Sequence, residues 1–298
     1  MMTLANLLSR LPGGIAQGII WGIMGIGIYI TFKVLHISDM TADGSFATGG
    51  AISVLLITKG INPIISLLVA FLGGLLTGSI TGLLHTKGKI PAILAGILVQ
   101  FGLYSIDLHI LNGSANLSCN PDKFSLLISL RNIPQAITIG LIVSILLIII
   151  LYWYFGTEQG CAIRATGCNK KMAMAQSINT DTTTIIGLAI GNGIVSLAGG
   201  LMGQYQGFAD VNMGRGAVVI GLAAIIIGEM LLKAIFKNPC QFYTNLFSVI
   251  IGGVIYYIVM VFILWLRIDS NDLKLFTAII VAIFLILGNS TTKGDQNA

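Results

Sequence analysis

The sequence has 298 residues, of which 55% are hydrophobic and only 9% are charged, and its mean hydropathy is +0.93. These values lie outside the range of soluble globular domains, whose surfaces need many more charged side chains. The formal net charge of +5 comes from Lys and Arg scattered along the chain rather than gathered beside aromatic residues, which gives no support for nucleic-acid binding.

Apolar segments long enough to cross a bilayer recur along the whole chain. A spanning helix needs about 20 mostly apolar residues. The sequence therefore predicts an all-α polytopic membrane protein with about nine transmembrane segments, within a range of about eight to ten. The predicted segments are residues 15–35, 41–57, 63–84, 91–111, 133–155, 183–202, 216–236, 242–266 and 273–287.

The second of these segments is unusually polar and rich in glycine. It contains Asp43, Gly44, Gly49 and Gly50, and Asp39 lies just before it. Irregular backbone at membrane depth occurs where protein or water encloses it. The sequence therefore predicts a broken or re-entrant helix at this place.

Two polar loops stand out by their length in what we interpret as a single transmembrane domain over residues 1–298. Residues 112–132 are predicted to form an external loop, and residues 156–182 a cytosolic loop. This orientation places nine Lys and Arg residues inside and seven outside. It agrees with the excess of basic residues in cytosolic loops, although the bias is small.

The predicted cytosolic loop carries small residues around one strong cation. Glycine and alanine let another protein approach the backbone closely, and a guanidinium offers a forked hydrogen bond to a carboxylate or carbonyl. The pattern predicts a docking helix; the alternative is an interfacial helix whose basic side chains reach toward the lipid headgroups. The residues concerned are Gly160, Ala162, Arg164, Ala165, Gly167 and Asn169.

The pattern G-x-A-x-R-A-x-G-x-N over residues 160–169 resembles the coupling segment of ABC importer permeases of the branched-chain amino acid and ribose class. In that family the segment sits in a groove of the ATPase subunit and transmits the closure of the ATPase to the membrane helices. The resemblance implies that these residues form the ATPase contact. The chain departs from the family at Lys170 and Lys171, where Pro and Glu are frequent, and in carrying Cys161 and Cys168.

Residues 21–51 and 203–229 extend this resemblance over nearly the whole chain. The motif Q-G-F-A-D-V-N-M-G in the second block is similar to the sequence of a subgroup linked with uptake of aromatic amino acids such as tryptophan and tyrosine. The resemblance implies a permease subunit of an ATP-driven importer, multi-pass in the bacterial cytoplasmic membrane, that moves a small solute by alternating access. An amino acid is the expected solute.

The same resemblance implies which partners the chain has and which subunit binds ATP. The expected partners are a dimer of ATPase subunits, an external solute-binding protein and a second permease copy in a homodimer, all within membrane lipid. ATP and Mg would be held by the ATPase, so this chain would need no cofactor and would hydrolyse nothing.

The two blocks are faintly alike, because each has an aspartate followed by glycine and another apolar run, and this indicates a possible internal repeat. Transporters built from repeats place the substrate route where interrupted helices of the two halves meet. The predicted route residues are Asp39, Thr41, Asp43, Ser45, Phe46, Gln204, Gln206, Asp210, Asn212 and Met213. The alternative for Asp39 and Asp210 is that each caps a helix.

The remaining ionisable residues favour structural interpretations. Glu229 and Lys233 have the i, i+4 spacing of a helical ion pair, and Asp107 with His109 is predicted to cap the outer end of a span. A secondary transporter or channel, the alternative function, would need a relay of buried ionisable groups, and candidates for one are few. The sequence has no P-loop, no H-E-x-x-H and no C-x-x-C spacing, which argues against an enzyme or a metal site.

Overall fold

The computed structural model describes residues 4–235, 242–265, 275–279 and 281–283 of the chain. The elements are α1 (Leu4–Tyr29) with a π turn (Ile30–Val34), α2 (Thr41–Thr58), α3 (Pro63–Thr86), α4 (Ala92–Ile110), β1 (Asn116–Ser118), α5 (Ile133–Phe155), α6 (Glu158–Cys168), α7 (Lys170–Ala175), α8 (Thr180–Gln206), β2 (Phe208–Asp210), α9 (Ala217–Ile235) and α10 (Phe242–Trp265). Most of the described part is helical, and a two-stranded β-ribbon joins the loop after α4 to the loop after α8.

Among the described residues, 6 helices are long and apolar enough to cross a membrane: α1 with its π turn, α3, α4, α5, α8 and α10. The fold is thus that of a polytopic helical membrane protein. Helices α2 and α9 occupy the predicted second and seventh segments, but α2 carries Asp43 and α9 carries both Glu229 and Lys233. The ninth predicted segment, residues 273–287, lies mostly outside the described residues.

The interruption predicted within the second segment is wrong in its position. Helix α2 is continuous from Thr41 to Thr58, and the irregular backbone lies before it, at residues 35–40 after the π turn. The glycines of α2 serve packing instead, because a Cβ on Gly49 would collide with the backbone of Ser196 in α8. Glycine in a membrane helix more often permits such close approach than it breaks the helix.

Two crossings of glycine-bearing helices hold the fold together. Along α3, Gly74 and Gly78 lie against the backbone of α8, and along α1, Gly18 and Gly22 lie against the backbone of α10. Lipid tails are as apolar as leucine, so helices in a bilayer associate through close packing rather than through the hydrophobic effect. These contacts place α1 and α8 at the buried centre, while α5 lies at the periphery with most of its surface exposed.

The two longest non-helical connections are tied to each other by the β-ribbon. Strand β1, from the loop after α4, pairs antiparallel with β2, which follows α8, and Asn116 lies opposite Asp210. Cys119 follows β1, and its amide donates to the carbonyl of Gly207 at 2.8 Å. The ribbon therefore fixes the segment that contains Asp210 and Asn212.

The ion pair of α9 differs from the one that the helical spacing predicts. Glu229 pairs with Lys33 of the π turn, with an N to O distance of 2.9 Å, and not with Lys233. The contact joins α9 to the end of α1, and both side chains are partly exposed. Tertiary packing brings Lys33 closer than the neighbour one helical turn away, so local spacing is a poor guide here.

Candidate functional site

Helix α6 contains most of the predicted coupling residues, and several of them contact the chain's own membrane helices. Arg164 is exposed, and its Nη2 donates to the carbonyl of Phe155 at 2.8 Å, where α5 ends. A guanidinium at this place satisfies a carbonyl that the helix leaves open and matches the negative end of its dipole. Arg164 therefore links α6 to α5.

Two further contacts connect α6 to the centre of the fold. Gly167 lies so close to the backbone of Val34 that a Cβ there would collide with it. The hydroxyl of Thr166 is 2.9 Å from that of Thr183 in α8. Helix α6 therefore contacts α5, α8 and the π turn that follows α1.

The structure corrects the accessibility of part of the predicted coupling surface. Gly160 is buried against the backbone of Phe155 and supports packing of α6 rather than an exposed contact. Ala162 and Ala165 are half-buried, while Asn169 is exposed and its side chain accepts a hydrogen bond from the amide of Met172 at 3.1 Å. The surface open to a partner is therefore narrower than the sequence pattern indicates.

Thiol labelling tests which side of the membrane carries α6. Cys161 and Cys168 are exposed on that helix, so we expect a membrane-impermeant maleimide to modify them only from the cytosolic side. Cys119 is buried, and burial raises the pKa of its thiol, so it should react slowly from either side because the thiolate is the reactive form. Labelling of Cys161 in intact cells would contradict the orientation.

Three of the predicted route residues belong to a buried polar network between helices. Asp39 accepts from the amide of Thr41 at 2.8 Å, as a cap does, and from the side-chain amide of Asn192 at 2.6 Å. The carbonyl oxygen of Asn192 accepts from Ser45 at 2.7 Å, and Thr41 bonds Thr81 of α3 at 2.7 Å. All five side chains are buried, and the network joins α2, α3 and α8.

Sequence reasoning missed Asn192, the residue at the centre of this network. The sequence did contain a signal for it, because Asn192 is a polar residue within the long apolar run of α8. Polar side chains at membrane depth are rare and nearly always have a partner. Asp39, Thr41 and Ser45 line none of the described cavities. Asp39 stands one residue before Met40, the N-cap of α2, and its bond to the amide of Thr41 favours the capping alternative for this residue.

Asp43 and Gln204 are also engaged in holding elements together. The two carboxylate oxygens of Asp43 accept from the amides of Val218 at 2.9 Å and Gly216 at 3.1 Å, which places Asp43 at the start of α9. An anion is stabilised at a helix N-terminus by the open amides and the helix dipole. Gln204 is buried, donates to the carbonyl of Pro63 at 3.2 Å and accepts from the amide of Leu127.

The other predicted route residues meet in one small cavity of about 240 Å³. It lies between α1, α2 and the segment that follows α8, and we call it the Trp21 cavity. Its lining residues are Trp21, Phe46, Met202, Gln206, Phe208, Asp210, Asn212 and Met213. The structure thus brings together residues from both of the sequence blocks.

Aromatic rings form one wall of the Trp21 cavity. Trp21 stacks on Phe46 with ring centroids 4.9 Å apart and on Tyr257 with centroids 5.9 Å apart. The indole of Trp21 is only 6% exposed, and its Nε1 has no hydrogen-bond acceptor in the described part of the chain. A buried donor without a partner costs about 1–3 kcal/mol, so a ligand acceptor at this place would relieve that cost.

Asp210 lies at the polar rim of the same cavity. One carboxylate oxygen accepts from the amide of Asn212 at 2.7 Å, which shapes the turn after β2. The side chain is half-buried, and it begins no helix, so the capping alternative does not describe it. Aromatic stacking on one side and amide and carboxylate groups on the other make the cavity amphipathic.

Comparison with known proteins connects this arrangement to a family. Residues 11–287 match the family described as the permease component of branched-chain amino acid transport systems. The chain is 40% identical to a tyrosine transport system permease protein of Clostridioides difficile over 92% of this chain and 89% of that protein. It is 34% identical to an uncharacterized protein of Rickettsia prowazekii over 87% of this chain and 91% of that protein.

More distant similarity extends to a sugar importer. The chain is 25% identical to the ribose import permease protein of Escherichia coli over 69% of this chain and 64% of that protein. No solved structure matches the chain.

Proposed function

We propose, from the premise that this chain belongs to the family of branched-chain amino acid transport system permease components, that the solute it carries is an aromatic amino acid such as tyrosine. Members of this family are transport subunits of ATP-driven importers for small solutes in the bacterial cytoplasmic membrane, and this chain is one of them. It works with an ABC ATPase and a solute-binding protein and is not itself an enzyme.

The finer assembly is part of the proposal. A second copy of this chain would complete a homodimer within the lipid, and ATP with Mg would be bound by the ATPase subunits alone. The chain would cross the membrane about nine times, and α2 and α9 would be two of the spanning helices. A two-fold repeat would relate α1 to α8 and α3 to α10, which is supported by the matching glycine contacts of α1 with α10 and α8 with α3.

Helix α6 is the proposed coupling element, on the cytosolic side. Its contacts with α1, α5 and α8 support this role, because a push from the ATPase on α6 would reach all three helices. Arg164, Ala162, Ala165 and Asn169 would form the surface toward the ATPase, and Gly160 and Gly167 would hold α6 against the membrane helices.

The main support for an aromatic solute is the indole N–H of Trp21, which has no described hydrogen-bond partner and lies beside stacked aromatic rings. The cavity volume of about 240 Å³ is smaller than the ~300–1,000 Å³ of whole-ligand sites, so it suits a side chain rather than a complete solute. The phenol ring of tyrosine would stack on the aromatic side chains, and its oxygen would accept a hydrogen bond from the indole N–H of Trp21. The carboxylate of Asp210 at the rim would then face the polar end.

Replacing Trp21 with phenylalanine tests this proposal, because an aromatic ring, smaller than the indole, remains while the N–H donor is lost. Loss of one hydrogen bond of about 0.5–1.5 kcal/mol should lower tyrosine uptake by about two- to tenfold and leave phenylalanine uptake unchanged. Uptake of both radiolabelled solutes is measured in proteoliposomes that contain the whole importer, with its solute-binding protein supplied.

Trp153→Phe is the matched control, since Trp153 lies on the exposed face of α5 with 71% of its surface exposed. The control should transport both solutes as the unmodified protein does. An equal loss of tyrosine and phenylalanine uptake in Trp21→Phe would remove the indole donor from solute recognition.

A further inference from the structure

A second cavity, of about 500 Å³, lies on the other side of α2 and shares no lining residue with the Trp21 cavity. It is lined by α2, α4 and the segment between β2 and α9. Its volume falls within the ~300–1,000 Å³ typical of small-molecule sites. Its lining residues are Asp43, Gly44, Ala47, Ile97, Gln100, Phe101, Tyr104, Asp107, Val211 and Arg215.

Asp107 is the least satisfied polar group of this cavity. Its side chain is 1% exposed, and its Oδ1 has no hydrogen-bond partner in the described structure. Thr48 is its hydrogen-bonding neighbour. However, the single hydroxyl proton of Thr48 is shared with the carbonyl of Gly44, 3.0 Å away. The predicted role of Asp107 as an interfacial cap is therefore wrong, since its side chain is buried and lines this cavity.

Arg215 supplies the opposite charge at the same cavity. Its side chain is exposed, and no described acidic residue forms an ion pair with it. Asp43 lines the same cavity, but its two carboxylate oxygens accept amides at the start of α9, and it forms no ion pair with Arg215 in the described structure. The cavity is thus lined by one carboxylate with an unpartnered oxygen and by one guanidinium without an ion pair among the described residues.

A lone cation would satisfy Asp107 and leave the guanidinium unpaired, and a lone anion would do the reverse. A zwitterion satisfies both, because an ammonium group carries three donors and a guanidinium binds a carboxylate through two parallel hydrogen bonds. Phe101 and Tyr104 add an aromatic side to the same space. The amide of Gln100 adds a further polar group.

We propose that this cavity binds the zwitterionic backbone of a free amino acid, with its ammonium group at Asp107 and its carboxylate at Arg215. This cavity is a second binding site, separate from the Trp21 cavity. It recognises the charged end of the solute rather than its side chain. The proposal rests on the proposed function only in taking an amino acid as the solute.

Competition binding separates the two charges. The purified permease–ATPase complex, in lipid nanodiscs and without solute-binding protein, is incubated with radiolabelled L-tyrosine and unlabelled competitors. Tyramine lacks the carboxylate, and 3-(4-hydroxyphenyl)propanoic acid lacks the ammonium group. The complex should bind L-tyrosine at least about tenfold more tightly than either analogue, since each analogue forfeits a charged hydrogen bond.

Two substitutions assign the charges to residues. Asp107→Asn should abolish the preference for L-tyrosine over the acid analogue, and Arg215→Gln should abolish the preference over tyramine. Asp122→Asn and Arg131→Gln are the matched controls, because these residues form an exposed ion pair in the loop after β1. Both controls should keep both preferences, and the melting temperature of every variant is measured to compare folded complexes only.

The outcomes are distinct. Equal affinity for the three compounds, no measurable binding by the unmodified complex, or variants that weaken all three compounds alike would overturn the site. L-leucine separates this proposal from the proposed function. If the complex binds L-leucine as tightly as L-tyrosine and still rejects both analogues, the aromatic solute is refuted and the zwitterion site stands.

Discussion

Arg164→Glu should strongly reduce coupled transport while leaving the membrane helices inserted. The guanidinium of Arg164 donates to the carbonyl of Phe155 at the end of α5, and a carboxylate at this place would face that carbonyl and the negative end of the helix dipole. Hydrogen bonds to charged groups contribute about 1.5–3 kcal/mol, so loss and repulsion together should lower uptake by more than about tenfold. Uptake and solute-stimulated ATP hydrolysis are measured on the reconstituted importer.

Two further variants make this result specific. Arg164→Lys keeps a donor and should retain part of the uptake, and Lys171→Glu introduces the same negative charge at an exposed position of α7 outside the described ion pairs. We expect Lys171→Glu to transport normally. Normal uptake by Arg164→Glu, with the ATPase still co-purifying, would refute the role of Arg164 in coupling.

Gly78→Val should prevent the permease from reaching its folded state. A Cβ at Gly78 would lie 2.8 Å from the Cα of Ala189 in α8, and the backbone of Leu188 is closer still. Overpacked cores usually lose about 1–3 kcal/mol, and the loss here should exceed that range because backbone atoms cannot rotate away. The yield of folded permease and the melting temperature of the purified complex report the effect.

The chain offers a matched control for this substitution. Gly102 of α4 is also a helical glycine, but no atom lies within 4 Å of a Cβ built there. Gly102→Val should therefore fold with a nearly unchanged melting temperature. If both variants fold equally well, the packing of α3 on α8 does not depend on the small size of Gly78.

The membrane helices of this protein could be predicted closely because lipid imposes one rule on every segment that crosses it. Backbone groups in hydrocarbon must be paired within the segment, so a long apolar run becomes a helix whatever surrounds it. Helices α5 and α8 follow this rule. The resemblance of residues 160–169 to a coupling segment could be recognised because that pattern is contiguous in sequence.

The polar residues could not be placed in the same way. Asp39, Asp43, Asp107 and Asp210 all look alike in sequence, as acidic residues in or beside apolar runs. The structure assigns them four different environments: a buried amide network, the start of α9, a cavity with one unpaired oxygen, and a turn at a cavity rim.

The sequence by itself determined the membrane class, most of the helical segments and the family. Only the tertiary structure decided which polar groups are already satisfied and which face a cavity. Asp43 meets the start of α9 across 175 residues of chain, and Asp39 meets Asn192 across 153. The free energy of a buried polar group depends on such distant partners, which no local spacing specifies.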